Sequence, residues 1–392
     1  MWAWSGVAGG ILLLIFFMLR ADRPLPQVSQ NLPLPSPSRP TPANPHAEAT
    51  NPIPSKWHHY ALGQRNAKAL AFQGKYLWIG TSKGIIRYDT TTADQSVVYG
   101  ARNGLLSDGI FSITIDKEGN TWVGTYGGGL SKFDGERWIN YNVPDGLADA
   151  FVYDLLFTEN GTIWIATWSG ANKVEGDISQ RSSWTTYTVK NTNGGLPNDW
   201  VYGLDIDEKG DIWFATEGGL AFFDGKVWKN WDHKDGLGAP YEEVKQANPF
   251  GEDVGKASVH HSRQKIEQGL TDVTTAYNPN YIVSMIRDRQ GRVWCGTWGA
   301  GLSRFDGERF TTYTTKDGLP GNFILSLAEG PDGSIWIGTN QGLARFDGTA
   351  FKTYTRQDGL FGDDIFSIVF RGKEIWLGSW GGVSQVFNGL PQ

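Results

Sequence analysis

The phrase "GSIWIGTNQGLARFDG" (333–348) reads as strand, glycine turn, strand and turn, and near copies of it recur along the chain. The tryptophans that mark the copies are Trp78, Trp122, Trp164, Trp213, Trp294, Trp336 and Trp376, with gaps of 44, 42, 49, 81, 42 and 40 residues. A period in the low forties with strand and turn signals points to the blades of a propeller. Each unit reads alike. An apolar strand such as "IFSITID" (110–116) ends in a D-x-x-G turn. The "TWVGT" strand (121–125) follows, then a glycine loop and "LSKFDG" (130–135). A fourth strand such as "RWINYN" (137–142) leads to a D-G-L linker. The 51 glycines and the abundance of Trp, Tyr and Phe fit short strands joined by tight turns and packed through flat rings.

Most fourth strands carry an aromatic-x-x-aromatic pair, among them Trp138 and Tyr141, Trp184 and Tyr187, and Phe310 and Tyr313. The seventh unit has none, because the chain stops at Gln392. The missing pair stands at the other end, as Trp57 and Tyr60 in "KWHHYAL" (56–62). The fold expected is an all-β, seven-bladed β-propeller over 56–392, closed by an N-terminal strand that removes exposed sheet edges. The 81-residue gap holds no further W-x-G-T phrase. It is read as a loop insertion over 238–279 rather than an eighth blade.

Two segments precede the repeats. "WAWSGVAGGILLLIFFML" (2–19) is uncharged and close to the ~20 residues that cross a bilayer, so residues 1–22 are expected to be an N-terminal transmembrane anchor, with a signal sequence as the rival. Residues 23–55 form a proline-rich linker of the kind that holds a domain off a membrane. Arg20 and Arg23 argue for the opposite orientation by the positive-inside rule, but the spacer favours an extracytoplasmic, periplasmic domain on the cytoplasmic membrane.

"DGLPGNFILSLAEGPDGSIWIGTNQGLARFDG" (317–348) resembles the two-component regulator propeller repeat, and all seven units from 57 to 392 follow that pattern, the first and third more loosely. The resemblance implies the sensor half of a membrane receptor, often for oligosaccharides. The chain departs from that family in having no room for a kinase or regulator domain. It would have to act with a separate membrane signalling protein.

Alternating turns sort the loops into two faces. The D-x-x-G and F-D-G turns share one face, here the turn face. The loop after W-x-G-T, the D-G-L linker and the insertion share the other, the linker face, where variable loops gather and a ligand is expected. After each G-T stand Ser82, Tyr126, Trp168, Glu217, Trp298, Asn340 and Trp380. This is either a partial ring of stacking platforms around the channel or a packed plug in its mouth. Before the inner strands stand Asp108, Asp199, Asn280, Asn322 and Asp363, which either meet ligand hydroxyls or satisfy turn backbone. The insertion adds Tyr241, Glu242, Glu243, His260, His261 and Arg263 as a lid or a solvated ornament. The adjacent histidines lack a third spaced ligand, so no metal and no cofactor is expected.

Other chemistry is hard to place. Net charge is −6, which leaves no basic footprint for nucleic acid. Cys295 is the only cysteine. "GEDVGKAS" (251–258) fails as a phosphate loop because its glycines are one residue too close and Ala257 follows the lysine. The expectation is a non-enzymatic, ligand-binding sensor propeller for an oligosaccharide or other small ligand. The alternatives are an assembly scaffold that binds a protein and, third, a lyase resembling virginiamycin B lyase, drawing on Glu217 and the insertion histidines.

Overall fold

The threonine, or in the last repeat serine, that closes each tryptophan strand builds the tight loop behind it. The threonine hydroxyl donates to the carbonyl of the glycine that opens the next strand, at 2.7 Å for Thr81 to Gly84 and for Thr167 to Gly170. Gly170 has φ 110°, and a Cβ there would stand 2.2 Å from the Tyr187 carbonyl oxygen, so only glycine fits. In the computed structural model, which describes residues 57–92, 96–247 and 277–386, this hairpin is repeated around a ring.

The strand tryptophans are core, and each stacks on the second aromatic of its own fourth strand. Trp78 lies on Tyr99 (5.7 Å, 23°), Trp164 on Tyr187 (5.4 Å, 25°) and Trp294 on Tyr313 (6.1 Å, 19°). Trp213 Nε1 has no partner among the described residues, but in the second and fifth repeats the indole N–H reaches back to the turn, donating from Trp122 to Asp116 at 2.7 Å and from Trp294 to Asp288 at 2.8 Å. A buried indole thereby keeps its hydrogen bond while its area leaves water.

The repeats fold into six sheets among the described residues, not seven. Five sheets have four strands. The sixth has six, in the order Ile365–Arg371, Glu374–Val386, Trp57–Gln73, Tyr76–Thr81, Gly84–Asp89 and Val97–Tyr99. The expected seven blades are therefore corrected to six. The reason lies in the two long strands. The first part of Trp57–Gln73 pairs with the end of Glu374–Val386, from Trp57 opposite Val386 to Ala61 opposite Gly382. Its second part pairs with Tyr76–Thr81, and Asn66 opposite Trp380 joins the two ladders. The first and seventh repeats thus share one continuous sheet. Tyr60 stacks on Trp376 at 5.4 Å and 15°, the same pairing the other repeats make internally.

The expected transmembrane helix falls on segment 2–19. No helix among the described residues is long and apolar enough to cross a membrane, and segment 2–19 lies outside them.

The innermost strand of each repeat touches the next in a closed circle. Trp57–Gln73 packs against Ile110–Ile115 on one side and Ile365–Arg371 on the other. Serine hydroxyls stitch neighbouring repeats together, donating from Ser326 to the Ile365 carbonyl and from Ser367 to the Ala67 carbonyl, both at 2.9 Å. Asp154 stands in that position in the third repeat and accepts from the Leu204 amide at 2.9 Å, and burial pushes its carboxyl up to about 7.

Every inner strand also carries a bulge at the same place. The register skips Lys68, Phe111, Tyr153 and Tyr202 in the first four repeats, then Val283, Leu325 and Phe366. A bulged residue leaves the ladder and its side chain is re-aimed. This device turns one side chain per repeat toward the channel, near the linker face.

The insertion leaves the ring through Gly238 and returns at Tyr277. Its root is a one-turn helix, Tyr241–Val244, packed against Tyr277, whose hydroxyl donates to the Ala239 carbonyl at 2.7 Å.

Candidate functional site

Three layers of side chains meet at the linker-face mouth. The upper layer is the residue after each G-T. The middle layer is the residue before each inner strand, and its carbonyl receives the upper residue's amide. Tyr126 N–H donates to Gly109, Trp168 to Phe151, Glu217 to Trp200 and Asn340 to Phe323, at 2.8–3.3 Å. The lower layer is the bulged residue.

Aromatic side chains from all three layers fuse into one arc. Tyr126 meets Phe111 at 5.6 Å and Phe151 at 4.7 Å; Trp168 meets Phe151 at 4.5 Å and Trp200 at 4.6 Å. Below them Tyr153 touches Phe111 at 4.5 Å and Tyr202 at 4.6 Å. Tyr202 continues to Tyr281 at 4.6 Å, and Trp298 links Tyr281 at 5.7 Å to Phe323 at 5.0 Å. The tilted and edge-on angles are those that ring quadrupoles favour. The arc spans the second to the sixth repeat. Trp380 and the polar residues Asn340, Ser82, Asn66 and Lys68 complete the circle from the remaining side.

Buried polar atoms collect here. Tyr126 Oη, Tyr153 Oη, Trp168 Nε1, Asn340 Oδ1 and Asn66 Nδ2 are buried with no hydrogen-bond partner among the described residues. Such atoms are scarce in folded proteins, because each left unpaired costs about 1–3 kcal/mol. Burial pushes the Tyr126 hydroxyl up to about 12 and that of Tyr153 well above its ordinary value, so both stay protonated donors. Glu217 is fully buried against the arc, and the Tyr202 hydroxyl donates to it at 3.4 Å.

Of the residues expected from sequence at this face, Tyr126, Trp168, Glu217 and Trp298 come together in the arc. Trp168 and Trp298 are only 4% and 6% exposed, whereas Tyr126 and Trp380 are half-buried. Asp108, Asp199, Asn280, Asn322 and Asp363 share one local role. Each side chain accepts the first amide of a linker turn, from Ala101, Val189, His233, Thr315 and Arg356 respectively, at 2.6–3.1 Å. Glu242 and Glu243 lie on the short helix at the insertion root, away from the arc's rings; His260, His261 and Arg263 lie outside the described residues. Among the described residues no three His, Cys, Asp or Glu side chains gather as a metal site. A separate cavity of about 470 Å³ opens beside the insertion root, lined by His233, Glu243, Thr312, Lys316 and Asp317 among others.

Sequence reasoning missed Phe151, Trp200, Tyr153, Tyr202 and Lys68, because residues within or next to an apolar strand read as core. For Tyr153 and Tyr202 the signal was a large residue at the second position of the inner strand, in "VYD" and "VYG"; for Phe151 and Trp200 it was an aromatic just before that strand.

The sequence model of the family described as two component regulator propeller matches residues 104–127, 146–169, 195–218, 276–299 and 318–341. These are two component regulator propeller repeats. The repeats around Trp78 and Trp376, outside those five segments, are the two that share the six-stranded sheet. No curated protein matches the sequence. Among solved structures, the extracellular domain of a protein described as a hybrid two component system of B. thetaiotaomicron aligns at 21% identity and a TM-score of 0.64. That alignment covers 85% of this chain and 41% of the other. Virginiamycin B lyase from Staphylococcus aureus aligns at 12% identity and 0.60, covering 84% of this chain and 98% of the lyase. YCF48 from Cyanidioschyzon merolae aligns at 13% identity and 0.54, over 84% and 98% of the two chains. At these identities the likeness is one of fold. The chain spans about four tenths of the length of the extracellular-domain structures it matches.

Proposed function

We propose that this regulator propeller is an extracytoplasmic, sensor-type binding domain whose linker-face mouth takes an oligosaccharide or another ring-bearing, hydroxyl-rich ligand. One observation carries the reading: at this mouth the unpartnered buried atoms Tyr126 Oη, Tyr153 Oη and Trp168 Nε1 sit on the aromatic arc, with Asn340 Oδ1 and Asn66 Nδ2 on the side that completes the circle. Specific ligand sites combine mostly apolar lining with a few well-placed polar groups. A sugar ring offers both halves of the match, an apolar C–H face to stack and hydroxyls that donate and accept. Trp168 Nε1 and Asn66 Nδ2 donate, Asn340 Oδ1 accepts, and the two tyrosine hydroxyls do either. The bound state would then be passed to a separate membrane signalling protein. The reading is of a binding protein rather than an enzyme, because stacking surface and neutral hydrogen-bonding groups dominate the mouth.

A thermal-shift screen against neutral and acidic oligosaccharides tests it. A ligand that binds only the folded form raises the unfolding midpoint, by the equivalent of about 2.7 kcal/mol at a hundred times Kd. Trp380→Ala, at a half-buried rim position, is expected to leave the unliganded midpoint within a degree or two and to remove most of the rise. A flat response to every saccharide, with stoichiometric capture of a protein partner instead, would replace this reading with the assembly scaffold.

A further inference from the structure

We propose that the ligand carries an anionic group on its ring, as a uronic acid residue does, and that Lys68 is the counter-ion waiting for it. The inference rests on the mouth being the ligand site and narrows what that site takes.

Lys68 is the one charged residue among the seven bulged positions that line the channel below the mouth. The opening strand's bulge between Ala67 and Ala69 takes it out of the ladder. Its Nζ stands 5.2 Å from the centre of the Phe111 ring, at the end of the aromatic arc. No carboxylate among the described residues forms an ion pair with it. Glu217, the acidic residue of the upper layer, belongs to the fourth repeat and accepts from Tyr202. An aromatic face only partly replaces the water and counter-charge that a half-buried ammonium gives up. Burial accordingly draws the Lys68 amine down to about 8. Three residues earlier, at the rim end of the same strand, Arg65 Nη1 donates to the Leu62 carbonyl while its Nε is buried without a partner. Positive charge thus gathers on the first repeat's side of the mouth, against a chain whose net charge is −6.

A carboxylate fixed to a pyranose ring suits this corner. The ring stacks on the Phe111 end of the arc and the carboxylate reaches the ammonium. A charge-assisted hydrogen bond formed away from water is stronger than a neutral one. A neutral sugar would keep the stacking and leave the ammonium uncompensated.

The test is a calorimetric titration of the full chain with two matched probes. One is a neutral gluco-oligosaccharide, and the other is the same oligomer with C6 oxidised to the carboxylate. The oxidised oligomer is expected to bind roughly tenfold or more tightly. Lys68→Met should remove that advantage, so that the two oligomers bind alike, and Lys68→Arg should keep most of it. Equal affinity for both probes, or an advantage that survives Lys68→Met, overturns the role of Lys68 while leaving the mouth as a saccharide site. Binding of neither probe overturns both.

Discussion

Deleting Trp57–Ala61 is expected to abolish cooperative unfolding and drive the chain to aggregate, although those residues lie at one edge of the described structure. Their loss strips the ladder from Val383 and Val386, both fully buried, and leaves an apolar strand edge open to other chains. It also removes Tyr60 from Trp376, and Trp57 from the linker glycine Gly359, where a Cβ would stand 2.5 Å from the indole. The single change Tyr60→Ala isolates the stacking and should cost roughly 3 kcal/mol, read from the midpoint of urea unfolding. Val98→Ala, on the exposed outer strand at 51% exposure, should stay within about 0.5 kcal/mol. Equal effects from the two substitutions would mean that the shared sheet does not close the ring.

The second large effect is Trp168→Ala. This tryptophan is 4% exposed and lies among Phe151, Trp200 and Tyr153, at centroid distances of 4.5, 4.6 and 6.4 Å. Truncating it leaves a cavity in a packed cluster and should cost about 3–5 kcal/mol. The variant would therefore lose its ligand response through instability as well as lost contact. Trp380→Ala, from the same sequence position in the last repeat, should cost under about 1 kcal/mol while still weakening binding. Comparing the unliganded midpoints of the two variants separates packing from recognition. If both are equally mild, the arc is a loose rim rather than a packed wall.

These two cases mark how far the sequence is informative. The tryptophan period, the fourth-strand aromatics and the spacing of Trp57 and Tyr60 are local patterns. They suffice to place strands and to pair the first strand with the last. The number of sheets is not local. It depends on whether the ladder, interrupted between Ala61 and Asn66, resumes at Asn66 opposite Trp380, and no residue type there announces that it does. The four aromatics after the G-T phrase, Tyr126, Trp168, Trp298 and Trp380, were visible because an aromatic at a glycine loop has no local reason to be there. Whether each ring is platform or plug depends on Phe151 and Trp200, which come from other strands. The bulges were hidden for the same reason: alternation in "IFSITI" sorts residues to the faces of a blade, and a bulge overrides it at Phe111. For the five linker acids and amides turn capping is the favoured reading from sequence, and their side chains do hold linker amides.

The central claim is that one mouth of the ring, where the aromatic arc meets buried polar atoms, holds the ligand. Oxidative footprinting of the intact protein, with and without a saturating saccharide found in the screen, tests it most directly. The account predicts protection at Tyr126, Trp200 and Trp380 together, with His233 beside the separate cavity unchanged. Protection confined to His233 and its neighbours, or to tryptophans near the turn face, would contradict it.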